Sequence, residues 1–536
     1  MPMRSLILLS LSFTALIPAT QINGATLTGT IRDDATGQVL PARLYIRAQT
    51  GNWHFARSAE SAGRAVEYRK QRGDKSVEMH TALSAHPFIA ELAAGKYTLT
   101  VEHGKEYHPA EREIDVGDQP INVELRLKRW INMAQQGWYS GDTHVHRTLD
   151  ELPTAMLADD LNVALPLTYW VTKSDTPSAE GNRSGAPVEP KLIEVTSTNV
   201  IWPLNTEYEI FSVGEKRHTL GAVFGLGHHS VLARGAPPVK PIAEQVHREG
   251  GLLDLDKHNW PWSMMIVPVM KVDLYELSNK YIWRTEFGFR TWGEPIPVYM
   301  GLPRDPAGMD EKSWTEFGFL NYYALLNCGF RMMPTAGTAS GVHPVPLGWG
   351  RVYVHCPQGF SYAEWMKGLA AGRSFVSTGP MMVVEVNGEL PKKAYEQTAE
   401  RATYKLTVKS SSPSPRRIEV LQAGRKITEA RSTGMGVGAE PFPPAQTFEI
   451  SVWSSTWLAV RCFETLPDGR ERFAHSAPIF IDVPGKPLAP RKAEVEYLIS
   501  RVKAEIARNT GVLSAEALAE YGEALAKYEE LAKVAE

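Results

Sequence analysis

The stretch IAEQVHREGGLLDLDKH, residues 242–258, decides how the middle of this chain is read. Residues 242–249 recur at helical spacing, and 251–256 follow as a strand-like run. Helix followed by strand is the rhythm that builds a parallel sheet or barrel. Working outward, 163–167 and 220–225 are further strand-like runs and 362–371 is helix-like. Residues 129–380 therefore read as one β/α region.

On either side the pattern changes to short alternating strands. Residues 26–128 carry several between Gly, Asp and Pro turns, the clearest being GKYTLTVEH at 95–103. Together they predict a small β-sandwich. The segments GTIRDDATGQVLPARLYI and LAAGKYTLTVEHGKEY resemble the carboxypeptidase-regulatory-like sandwich domains, which mostly serve as spacers or adhesion modules. Alternation returns over 381–484, predicting a second sandwich with a Gly/Pro-rich loop at 434–444. Over 485–536, Val495, Leu498, Val502 and Ile506 keep helical spacing. Asn509 and Gly511 offer a stop, and Ser514 can cap a second helix, so the tail predicts a helical hairpin.

Residues 1–25 hold Arg4, an apolar run over 6–17, then Pro18 and polar residues, the order of a secretory signal. The expected location is periplasmic or secreted, with no membrane-spanning segment once the signal is removed. At ~150 residues per domain, 536 residues imply three to four folded units. Lys plus Arg number 57 against 60 Asp plus Glu, so no basic excess favours nucleic acid as a partner. Cys328, Cys356 and Cys462 are widely separated, which excludes a disulfide scaffold and a zinc ribbon. GxSxG, GxxxxGK and HExxH are all absent, which argues against serine hydrolases, P-loop NTPases and zincins.

Two segments carry candidate chemistry. In GDTHVH, 141–146, strand alternation turns His144 and His146 the same way, so both rings can converge on one divalent ion. A polar surface pair would read the same. In GLLDLDKH, alternation puts Asp254, Asp256 and His258 on one face of a strand marked as interior by Leu252, Leu253 and Leu255. Burying such groups is costly unless a metal or ion pairs compensate. Glu207, Glu209, His218 and one of His228 and His229 are further potential ligands, and Glu276 is a candidate to support one. The small-residue run 334–341 reads as a tight turn or as a backbone anion nest.

The motifs GWYSGDTHVHR, GRSFVSTGP and AHSAPIFID resemble the carbaryl-hydrolase-like (CehA/McbA) branch of the PHP (polymerase and histidinol phosphatase) superfamily, over roughly residues 130–484. The resemblance implies a multidomain α/β plus all-β protein. Its central distorted β/α barrel is flanked by two β-sandwiches and followed by the helical hairpin. It also implies divalent ions used in ester or phosphoester hydrolysis. Carried over, the ligands are His144, His146, Glu209 (or Glu207), His218 and His258. The family's Thr-Asp-His is here Thr168-Tyr-Trp170, and its late Asp-x-His falls on Ala339 and Gly341. These losses leave one or two ions (Zn, Mn or Fe) rather than three.

The expected function is an exported metal-dependent hydrolase acting on a small-molecule or carbohydrate-derived substrate. Asp256 would orient or deprotonate water, and Arg147 or Lys257 would stabilise the oxyanion. Trp260 and Trp262 would hold an apolar or sugar-ring portion of the substrate, and His343, near the lost late pair, is a further substrate-binding candidate. The alternative is a catalytically degenerate barrel acting as a polysaccharide- or surface-binding module.

Overall fold

A computed structural model describes residues 24–432 and 442–536, apart from 280, 283, 286 and 290. The leader expected at 1–25 lies outside the described residues except for Gly24 and Ala25, which open the strand Gly24–Asp33. Most of the loop expected at 434–444 also lies outside them. The chain is multidomain and rich in sheet. Among the described residues no helix is long and apolar enough to cross a membrane.

The N-terminal strands form two sheets around one core, to which Leu27, Leu44, Phe88, Leu99 and Val123 contribute. In the central region helices precede strands as the pattern predicts. Lys240–Arg248 leads to Leu252–Leu255, Ser263–Met270 to Leu274–Ser278, and Glu311–Asn327 to Met333–Ala336. These three strands lie side by side and parallel. Their sheet continues through Ala222–Leu226 and Thr206–Val213 to Tyr169–Lys173. Ala222–Leu226 is antiparallel to both neighbours; the short link from 213 to 222, with no room for a crossover helix, accounts for its pairing with Thr206–Val213.

A second sheet holds Trp138–Val145 between Val163–Pro166 and Arg351–His355. Two links tie it to the first. A parallel bridge joins Val145 to Ser340, and the chain passes directly from Val163–Pro166 into Tyr169–Lys173. His144 is thereby set opposite the strand ends of the first sheet.

The division expected at 380/381 is not a sheet boundary. Ser374–Ser377 pairs with Glu471–Ser476, and the same sheet runs on through Thr456–Thr465 to Arg425–Ser432. One core spans the junction, combining Trp138, Tyr353 and Phe375 with Met381, Ile418 and Val460. The sequence shows a change of pattern there, but a strand from before residue 381 supplies the neighbour for one after it.

The tail forms helices Lys492–Asn509 and Ala515–Ala532, with Ser514 capping the second through Ala517 N–H. They dock on the central region: Tyr528 donates to the Met264 carbonyl, and the Glu520 carboxylate accepts from Val239 and Lys240 N–H. Cys328, Cys356 and Cys462 are buried free thiols.

Candidate metal centre

His144 lies one residue from the end of its strand, and His146 just beyond. The backbone stays extended because 337–341 runs alongside: Ala339 N–H donates to the His144 carbonyl at 2.6 Å and His146 N–H to the Ser340 carbonyl at 2.8 Å. Both imidazoles face one point, with their Nε2 atoms 3.2 Å apart. Glu207, near the start of Thr206–Val213, places Oε2 3.3 Å from His146 Nε2. From Leu274–Ser278, Glu276 Oε2 lies 3.0 Å from His144 Nδ1. A carboxylate only accepts, so Nδ1 carries the proton and Nε2 of His144 presents its lone pair toward His146. This is how a metal-binding histidine is commonly oriented.

Donor atoms of His144, His146 and Glu207 all lie within 4.8 Å of one another, as do those of His144, Asp256 and Glu276. Two imidazoles and carboxylates at that spacing suit Zn, Mn or Fe with bonds of about 2 Å. The residues present therefore fit a divalent ion. His144, Glu207, Asp256 and Glu276 are fully or almost fully buried, so an ion here would be shielded from water on most sides.

Lys257 lies beside this cluster. Its ammonium is 2.5 Å from Asp256 Oδ2, 2.6 Å from Glu209 Oε1 and 3.3 Å from Glu207 Oε1. Burial opposes the lysine's charge, but Asp256, Glu209 and Glu207 outweigh it and hold its pKa well above the ordinary lysine value. Burial also acts to raise Glu207, yet Lys257 and His146 keep its pKa well below the usual carboxylate range. The expected role of Lys257 as an oxyanion donor does not match this placement, since its three N–H donors face three carboxylates.

On the outer side, Trp170 stands beside His146. Its ring centroid is 5.0 Å from that of His146, and its indole N–H donates to Glu209 at 2.9 Å. Exposed Arg183 donates to His146 Nδ1 at 2.9 Å and packs over Trp170.

Several expected participants are placed elsewhere. The strand ends at Leu255, so alternation does not extend to 258 and the three polar side chains diverge. Asp254 turns to Thr335 and Thr143, and burial pushes its pKa up to about 7. Asp256 pairs with Lys257 and alone of the three stays within reach of His144 and Glu276. His258 sits in an aromatic cage of Tyr275, Trp314 and Phe317, and neither ring nitrogen has a hydrogen-bond partner among the described residues. His218 bonds to Asn509 in the tail. Neither histidine joins the cluster. Of the two glutamates, Glu207 approaches the histidines and Glu209 is held by Lys257 and Trp170.

Trp262 is fully buried in the core, too deep for substrate, whereas Trp260 is half-buried with its ring 5.1 Å from the Lys257 ammonium. Arg147 bonds Ser340 and stacks on Tyr68 of the N-terminal sheets. His343 is buried there too, its carbonyl accepting from the Tyr68 hydroxyl. The anion-nest reading of 334–341 fails: N–H groups from Gly337 to Gly341 are spent on Ser278, Asp142, His144, Thr338 and Tyr68. The run is not one tight turn either: Met333–Ala336 is strand, and Ser340 bridges to Val145 before the chain turns at 341.

Sequence reasoning gave Glu276 only a supporting place, which is where it stands, and a carboxylate in mid-strand was the signal for it. Arg183 was missed, because a loop arginine carries no pattern.

No protein-family model matches this chain, and no curated protein matches it. Among solved structures, a two-domain protein from Bacteroides vulgatus containing a predicted PHP-like metal-dependent phosphoesterase aligns over 64% of this chain and 94% of its own. It does so at 9% identity and a TM-score of 0.27. Another, named pT26-6p, aligns over 30% of this chain and 40% of its own at 10% identity and a TM-score of 0.13. At such scores neither likeness bears on the site.

Proposed function

We propose that this protein is an exported divalent-metal-dependent hydrolase of ester or phosphoester bonds, built on a distorted β/α barrel. The observation that carries the reading is the convergence of His144, His146 and Glu207 under an imidazole–carboxylate pair, His144 with Glu276. A divalent ion held there supplies Lewis acidity and brings the pKa of water from 15.7 toward ~7. The chain's own residues then have separable tasks. Glu276 keeps His144 in the tautomer whose Nε2 can bind. Trp170 walls one side of His146, and exposed Arg183 is placed to meet an anionic group arriving from solvent. Trp260 offers an apolar face near the acidic cluster.

The test is metal content followed by turnover. Protein purified without chelator should carry bound metal and hydrolyse members of an ester and phosphoester panel with Mn or Zn added. His144→Ala should lose both. The replacement of a family ligand by Trp170 favours the second reading, a non-catalytic binding module. Metal-free protein inert toward the whole panel would establish that reading instead.

A further inference from the structure

We propose that the Lys257 ammonium is a built-in second cation, so that the centre holds a single divalent ion where its carboxylates would otherwise take two. The inference rests on the hydrolase reading and specifies its metal count. Glu207 is the hinge of the argument. One of its oxygens lies 3.3 Å from His146 Nε2, and the other lies 3.3 Å from Lys257 Nζ. It therefore spans two positive positions, as a bridging carboxylate does between two ions.

The second position is well defined. Asp256, Glu209 and Glu207 each place an oxygen within 3.3 Å of Nζ, and Lys257 is only 1% exposed. An ammonium has three N–H donors, and three carboxylates satisfy them. A hard divalent ion would want the same oxygens at about 2.0–2.6 Å, so ion and ammonium cannot share the place. Charge points the same way. Glu207, Glu209, Asp256 and Glu276 bring four negative charges into a buried volume, and Lys257 returns one. A single divalent ion then leaves one negative charge. With the buried ammonium still present, a second ion would leave the interior positive, and such an imbalance is costly where water is excluded.

The experiment counts ions. Full-length protein is stripped with chelator, saturated with Mn²⁺, freed of excess by gel filtration, and analysed for manganese per chain and by electron paramagnetic resonance. Wild type and Lys257→Arg should each hold one ion with the six-line spectrum of isolated Mn²⁺. Lys257→Met should hold two, with the spectrum of a spin-coupled pair. Lys257→Gln, closer in polarity, carries the same expectation should the Met variant not fold. Two ions in the wild type, or one in a folded Met or Gln variant, would overturn the inference and leave the hydrolase reading standing. No bound ion in the wild type would remove both.

Discussion

Arg183 donates to Nδ1 of His146 across 2.9 Å, and this contact fixes which nitrogen of His146 carries the proton. Arginine has no acceptor, so the Nδ1 lone pair is engaged and the hydrogen resides on Nε2, the atom facing His144 and Glu207. Coordination through Nε2 needs the opposite tautomer, and so requires Arg183 to let go. Arg183→Ala should therefore tighten Mn²⁺ or Zn²⁺ binding by about tenfold, the lower end of what outer partners of a metal histidine usually contribute. Calorimetric titration of stripped protein measures it, and an unchanged dissociation constant would show that the contact does not hold the site.

Glu276 acts in the other direction. It accepts from His144 Nδ1 and turns Nε2 toward the centre, so Glu276→Ala should weaken metal binding about 10–100-fold. Glu276→Gln, whose amide oxygen still accepts, should lose less. Circular dichroism on both variants separates this from unfolding.

Gly341 leaves no room for a side chain beside His146. A Cβ there would sit 2.4 Å from the His146 carbonyl carbon and oxygen, and φ is +109°, a conformation that side chains disfavour. Gly341→Ala should cost about 1–3 kcal/mol by chemical denaturation, and Gly341→His should cost more without adding an ion. A folded Gly341→His protein with increased metal content would refute this.

His258 separates a ligand from a core histidine. Burial pushes its pKa down to about 4, whereas the unfolded chain protonates near ~6.5. Between those values the unfolded state binds the extra proton. Its stabilising contribution is therefore complete above pH 6.5 and drains away as pH falls toward 4, at up to about 1.4 kcal/mol per pH unit. His258→Phe should keep the metal content of the wild type and show a shallower loss of urea midpoint from pH 6.5 to 4. Loss of metal in that variant would restore His258 as a ligand.

The helix-then-strand rhythm, the alternating flanks and the capped hairpin were legible because each rests on local periodicity. The His144/His146 pair was legible for the same reason, its spacing matching a pleat held by the adjacent 337–341 segment. His258 was misplaced because the strand stops at Leu255, and nothing local announces that stop. Lys257 reads from the sequence as an oxyanion donor because its partners Glu207 and Glu209 come from a strand some fifty residues earlier. The choice between those two glutamates likewise depends on a distant partner, since Glu207 also reaches His146 while Glu209 is held by Trp170.

The sheet that runs unbroken from Trp138–Val145 through Ser374–Ser377 into Glu471–Ser476 has a practical corollary. Cutting the gene near codon 380 would strip Ser374–Ser377 of its partner and bare Tyr353 and Phe375, producing a sticky fragment rather than a self-contained domain. Dissection, fusion and crystallisation efforts should keep the two halves together.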